Sequence, residues 1–163
     1  MPFPRARRMN LIELAVLLTA LISLGAFHLL VLADRRPDED VVHGWQVWPE
    51  IWQFFTEFDF SDIRDVIATS AFLTSVLLIV VAPFAIPLFR ASRPAWWLAA
   101  IVSGSALIGL SGILLLDYTQ APEDAEKLGP GFFCLIAAQF LNFLGLMFIR
   151  REINPDPGGN VSA

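Results

Sequence analysis

The sequence predicts an all-α integral membrane protein, in which four transmembrane helices form an antiparallel bundle and a short amphipathic helix lies outside. The first observation is composition: 56% of the 163 residues are hydrophobic and 17% are charged, whereas soluble domains average about 45–50% and about 25%. The second is that the apolar residues are gathered into four long runs. The third is a segment after the first run in which tryptophans recur at helical spacing.

The four apolar runs are each long enough to cross a membrane as a helix. They cover residues 11–33, 66–89, 95–116 and 131–149, which are 23, 24, 22 and 19 residues. A helix needs about 17–25 residues to cross a hydrocarbon core of about 30 Å. Because the core contains no water, each run should be helical to satisfy its own backbone hydrogen bonds. The first run is longer than the ~7–15 apolar residues of a signal peptide core, so we interpret it as a retained span.

Basic residues are distributed unequally between the two ends of these runs. Four spans place both termini on one side, together with the link between the second and third runs. That side holds seven of the 11 Lys and Arg residues and has a net charge of +4, while the opposite side has −9. The positive-inside rule therefore predicts cytoplasmic termini in a plasma membrane, namely the bacterial cytoplasmic (inner) membrane. We interpret residues 1–163 as a single membrane domain with external loops at 34–65 and 117–130.

The first external loop contains a predicted amphipathic helix at about residues 48–58. Its aromatic stripe comprises Trp45, Trp48, Trp52 and Phe55, and its polar face comprises Glu50, Gln53 and Glu57. At about 100° per residue the two sets lie on opposite faces. A helix of this kind is suited to lie in the membrane interface. Because its polar face is acidic, we expect the aromatic stripe to hold it against the bilayer, the other helices or a partner protein.

Small and polar residues in the last two runs predict where helices approach each other closely. The glycine-serine stripe, which comprises Ser105, Gly109 and Gly112, recurs at i, i+4 and i+7 and permits close backbone contact. Gln139 and Asn142 share one face of the fourth run, where we expect them to hydrogen-bond to serines of the third. We therefore interpret these two runs as a packed pair. The alternative is that the stripe binds a span of another protein.

His28 is the histidine that lies within an apolar run, and an ionisable residue there is a functional hypothesis by default. The simplest interpretation is a neutral imidazole that hydrogen-bonds to Thr69, Ser70 or Cys134, which lie at similar depth. The alternative is an axial ligand for a haem or a chlorophyll-type pigment, and we predict no other cofactor. Glu13 lies two residues into the first run, where we expect it to reach the lipid head groups.

The residues capable of chemistry are too scattered to predict a catalytic or metal site. A single cysteine excludes an intrachain disulfide, and the net charge of −5 argues against nucleic-acid binding. Catalysis needs two or more suitable groups in one pocket, and the sequence offers at most one per location. The sequence therefore predicts a non-catalytic accessory, assembly or scaffold subunit that contacts lipid, other membrane proteins or a second copy. The alternatives are a small transporter or channel component and a cofactor-binding subunit that uses His28.

Overall fold

The computed structural model describes residues 11–33, 41–57, 62–120 and 128–149, and about nine-tenths of them are helical. In chain order the elements are α1 (Leu11–Leu29), β1 (Val31–Ala33), β2 (Val42–His43), a 3₁₀ turn (Gly44–Gln46), α2 (Val47–Glu57), α3 (Ile63–Ala91), α4 (Arg93–Gln120) and α5 (Pro130–Phe148). Both termini and parts of the two predicted external loops lie outside the described residues.

Four of the helices, α1, α3, α4 and α5, are long and apolar enough to cross a membrane, which confirms that prediction. The helices α3 and α4 extend beyond the predicted runs at both ends, to 29 and 28 residues. An apolar run marks only the part of a helix that lipid would cover, whereas the helix continues through its polar end turns. At the start of α3, for example, the carboxylate of Asp62 accepts a hydrogen bond from the backbone N–H of Arg64 at 2.8 Å and caps the helix.

The end of the first predicted span is wrong, because α1 stops at Leu29 and residues 31–33 form a strand. This strand, β1, pairs antiparallel with β2 and also bridges to Leu128. The backbone N–H of Gly129 donates to the carbonyl of Leu32 at 2.7 Å, so hydrogen bonds to other segments replace those of the helix. A Cβ at Gly129 would overlap the carbonyl of Val31, which explains why glycine is required there.

Long helices that follow one another along the chain run in opposite directions, as do α1 and α5, while α3 and α5 run in the same direction. At one end of the α1–α5 pair Leu17 lies against Gly145, and at the other Val31 lies against Gly129. The helices α3 and α4 form a hairpin around Ser92, whose N–H donates to the carbonyl of Leu88 at 2.8 Å. The two strands and α2 lie at one end of the helices, which we call the α2 end.

Two clusters of buried apolar side chains connect the helices. The cluster nearer the α2 end includes Leu24, Phe27, Ile51, Phe72 and Leu135. The cluster at the opposite end includes Leu17, Ile86, Phe89, Ala99 and Leu146. Because the first cluster takes one residue from α2, that short helix is part of the packed structure.

Candidate functional site

The helix α2 begins one residue earlier than the predicted 48–58, while residue 58 lies outside the described residues. The helix presents three faces rather than two. Its buried face comprises Val47, Ile51 and Phe54, at i, i+4 and i+7, and Ile51 is only 8% exposed. Next to it lies the aromatic stripe, of which Trp45, Trp52 and Phe55 are 55%, 73% and 44% exposed. Glu50 and Gln53 are exposed on the third face, while the side chain of Glu57 lies outside what the structure describes.

Trp48 is the member of the aromatic stripe that attaches α2 to the long helices. Its indole Nε1–H donates to Nε2 of His28 at 3.1 Å, and the two rings stack with centroids 6.1 Å apart. The other side of the indole meets the ring of Phe72 edge-on, with centroids 5.4 Å apart. Trp48 therefore links α2 to both α1 and α3.

Both ring nitrogens of His28 are occupied, but not by the predicted partners Thr69, Ser70 or Cys134. An indole N–H only donates, so Nε2 must accept, and Nδ1 then carries the proton that it donates to the carbonyl of Leu24 at 2.8 Å. The imidazole of His28 therefore bonds to Leu24, one turn earlier on α1, and to Trp48 of α2, and not to the helices that carry the predicted partners. A haem or pigment at His28 would have to displace Trp48 from Nε2.

A cavity of about 340 Å³ lies beneath α2. Its lining residues come from all the long helices, from α2 and from β1: Phe27, Leu32, Val47, Glu50, Ile51, Phe54, Asp65, Ala68, Thr69, Phe72, Leu110, Ile113, Phe132 and Leu135. Most of these are aliphatic or aromatic, and the polar exceptions are Glu50, Asp65 and Thr69. The sequence does not predict this cavity, because its shape depends on how α2 packs over the long helices and not on a local pattern.

Two amide side chains of α5, those of Gln139 and Asn142, hydrogen-bond to one serine of α4, Ser103. Nε2 of Gln139 lies 2.7 Å from the carbonyl and 3.0 Å from the hydroxyl of Ser103, and Nδ2 of Asn142 lies 3.3 Å from the same hydroxyl. All three residues are fully buried. The amide oxygens of Gln139 and Asn142 have no partner among the described residues.

The glycine-serine stripe does not face α5, so the predicted contact between the third and fourth spans through this stripe is wrong. A Cβ at Gly109 would lie 3.1 Å from that of Ala71 on α3, a Cβ at Gly112 would meet nothing within 4 Å, and Ser105 is exposed. Ser103 contacts α5. Ser105 lies about 200° further around α4 and therefore points away from α5. Ser105 and Gly109 instead line part of a groove of about 320 Å³ between α3 and α4.

At the end opposite α2, Glu13 and Arg90 form a buried ion pair between α1 and α3. Their side chains are 1% and 15% exposed, so Glu13 does not reach outward as expected. This pair could have been predicted from the sequence. Antiparallel spans bring Glu13, at the start of the first run, and Arg90, just after the end of the second, to the same side of the membrane. Beside them, the indole N–H of Trp96 donates to the carbonyl of Leu146 at 2.8 Å and ties α4 to α5.

The described part of the chain contains no group of three His, Cys, Asp or Glu residues placed to hold a metal ion. Cys134 is a free, half-buried thiol. The described side chains form an exposed aromatic stripe, an apolar cavity lined also by two carboxylates, and a groove of small residues. No family model, curated protein or solved structure matches this chain.

Proposed function

We propose that this chain is a non-catalytic integral membrane protein, an accessory, assembly or scaffold subunit that acts through contacts with other membrane proteins or with lipid. The observation that carries the proposal is the aromatic stripe. Trp52 is 73% exposed and Trp45 is 55% exposed, although α2 is attached through its other residues. Exposed apolar surface of this kind is typical of a protein–protein or membrane contact.

In this proposal the four long helices form an antiparallel bundle in the membrane, with α2 at its external end. Both termini lie in the cytoplasm of a bacterial inner membrane, as the charge asymmetry between the two sides favours. The exposed apolar side chains of α1, α3, α4 and α5 then face lipid. The aromatic stripe lies at the level of the outer head groups, where tryptophan is enriched.

The energetics of the stripe favour contact over exposure. Burying a large apolar side chain stabilises a complex by on the order of 2 kcal/mol, and three residues of the stripe are more than two-fifths exposed. Because α2 is already fixed by Trp48 and Ile51, a partner gains this burial without ordering a flexible segment, which lowers the entropic cost of binding.

Association in mild detergent, measured by native electrophoresis and crosslinking, tests the proposal. Trp52→Ala combined with Phe55→Ala should abolish the complex, while Gln53→Ala, an exposed change on the same helix, should leave it intact. Cys134→Ser should also leave it intact, because the thiol has no role in the contact. A protein that stays monomeric and uncrosslinked in native membranes would contradict a role in contacts with other membrane proteins.

A small transporter or channel component is the second candidate, and the buried polar cluster favours it. The amide oxygens of Gln139 and Asn142, midway along α5, have no hydrogen-bond partner in the described part of the chain. Such acceptors can bind a water molecule or a solute that passes between the helices. Flux into proteoliposomes that is lost in Asn142→Leu would support this function over the scaffold. The cofactor hypothesis predicts a visible absorption band that disappears in His28→Leu.

A further inference from the structure

The cavity beneath α2 has the size and lining of a ligand site, and contact through the aromatic stripe does not require it. Its volume of about 340 Å³ lies within the ~300–1,000 Å³ that is usual for small-molecule pockets. Among its lining residues, Phe27, Phe72 and Leu135 are at most 5% exposed. The buried face of α2 also lines the cavity.

The walls of the cavity are held in place by contacts outside it. The rings of Phe27 and Phe72 meet with centroids 5.6 Å apart, and Trp48, which is not a lining residue, meets the ring of Phe72 edge-on. Trp48 is itself fixed by its hydrogen bond to His28. The cavity is therefore preformed and a ligand does not have to order its walls, which favours binding.

The charged side chains that line the cavity are two carboxylates. Glu50 comes from α2 and Asp65 from the first turn of α3, and both are exposed. Thr69, one turn further along α3, adds a hydroxyl. The described lining contains no Lys, Arg or His, and the neighbouring Arg64 does not contribute to it. The rim is therefore negative while the interior is apolar.

We infer that this cavity binds an amphiphile with a single alkyl chain and a protonated amine head group. The chain lies between Phe27, Phe72 and Leu135, and the ammonium lies at the rim near Glu50 and Asp65. A carboxylate or sulfate head would be repelled by the same two groups, and a purely polar ligand would leave the aromatic walls without contacts. This inference does not rest on the proposed function, since the cavity and the stripe involve different faces of α2.

A photocrosslinking experiment tests the inference. The protein is placed in phosphatidylcholine nanodiscs, and the probe is dodecylamine with a diazirine near the end of its alkyl chain. Mass spectrometry should find the label in the peptides that contain Phe27, Phe72 and Leu135, which line the cavity. Unlabelled dodecylamine should suppress the labelling at about one-tenth of the concentration that dodecanoate requires. Two exposed ion pairs, to Glu50 and Asp65, account for a preference of about this size. In Glu50→Gln combined with Asp65→Asn that preference should disappear.

Ala68→Phe fills the cavity and should remove the label, while the matched change Ala137→Phe, on an exposed position of α5, should leave it. Circular dichroism establishes that each variant is folded. Equal competition by dodecanoate and dodecylamine in the unaltered protein would overturn the amine assignment. Labelling that persists in Ala68→Phe, or that spreads evenly over the exposed residues of the long helices, would overturn the cavity as the site.

Discussion

Trp48 donates its indole hydrogen to Nε2 of His28 across 20 residues of sequence, and this bond attaches α2 to α1. The bond fixes the tautomer of His28, because Nδ1 must then donate to Leu24. It also orients α2, so that Ile51 turns inward and Trp52 turns outward. The same bond supports the cavity wall at Phe72 and the exposure of the aromatic stripe.

Trp48→Phe should loosen α2 without unfolding the protein. Phenylalanine keeps a ring against Phe72 but cannot donate to His28, and the loss of one such hydrogen bond costs about 1 kcal/mol. Hydrogen exchange of the amides in residues 47–57 should therefore become about fivefold faster. Trp52→Phe, which alters an exposed ring on the same helix, serves as the control and should leave the exchange unchanged. Equal exchange rates in the two variants would show that Trp48 does not attach α2.

Breaking the pair between Glu13 and Arg90 should be the most destabilising single change at the end opposite α2. Glu13→Gln leaves a buried guanidinium without its counter-charge, and removing one partner of a buried pair costs about 3–5 kcal/mol. Unfolding in SDS–detergent mixtures measures this loss. Glu50→Gln, an exposed carboxylate, should have little effect on the same measurement.

Replacing both partners, as in Glu13→Leu with Arg90→Met, should recover most of that loss, because no charge is then left buried. A double variant that is no more stable than Glu13→Gln would contradict this account. It would mean that the packing of the two long side chains, rather than their charges, holds α1 against α3.

Some of the structure was predictable because it depends on local patterns. The apolar runs predicted four long helices, since lipid requires a continuous apolar segment, and the spacing of Trp48 and Trp52 predicted α2. The strand at residues 31–33 was not predictable in this way, because its hydrogen bonds go to Val42–His43 and Leu128, which are distant in sequence. The glycine-serine stripe was assigned to the wrong neighbour for a related reason: spacing identifies a face of α4 but not the helix opposite it.

Ser103→Ala should weaken the contact between α4 and α5, but by less than the loss of both amides, because Gln139 also donates to the backbone carbonyl of Ser103. The hydroxyl of Ser103 is a shared acceptor for Gln139 and Asn142, and hydrogen bonds of this kind contribute ~0.6–2 kcal/mol each in membranes. Gln139→Leu added to Ser103→Ala should therefore cost less than the sum of the single changes. Ser105→Ala, an exposed serine two residues away, is the matched control in SDS unfolding. If the free-energy losses of the two single variants simply add in the double variant, Ser103 and Gln139 do not share a contact.

Cysteine labelling should place α2 outside the cell and the C-terminus inside. The charge difference of +4 against −9 between the two sides motivates the orientation. In a Cys134→Ser background, Gln53→Cys should react with an impermeant maleimide in intact cells, while Val161→Cys should react only after the membrane is opened. The reverse pattern would invert the topology and place the aromatic stripe in the cytoplasm.

Alanine substitution should have opposite effects at Gly145, which packs against Leu17, and at Gly112, where an added Cβ meets nothing within 4 Å. A Cβ at Gly145 would lie 2.5 Å from Cδ2 and 2.8 Å from Cγ of Leu17, whereas a Cβ at Gly112 would meet nothing within 4 Å. Alanine favours a helix over glycine by about 1 kcal/mol, so Gly112→Ala should be neutral or stabilising. At Gly145 overpacking adds about 1–3 kcal/mol of strain against α1, so Gly145→Ala should be destabilising in SDS unfolding. Leu17→Ala should relieve this clash, so that Gly145→Ala costs less in that background. Equal effects of the two glycine substitutions would mean that α1 and α5 are not packed at this point.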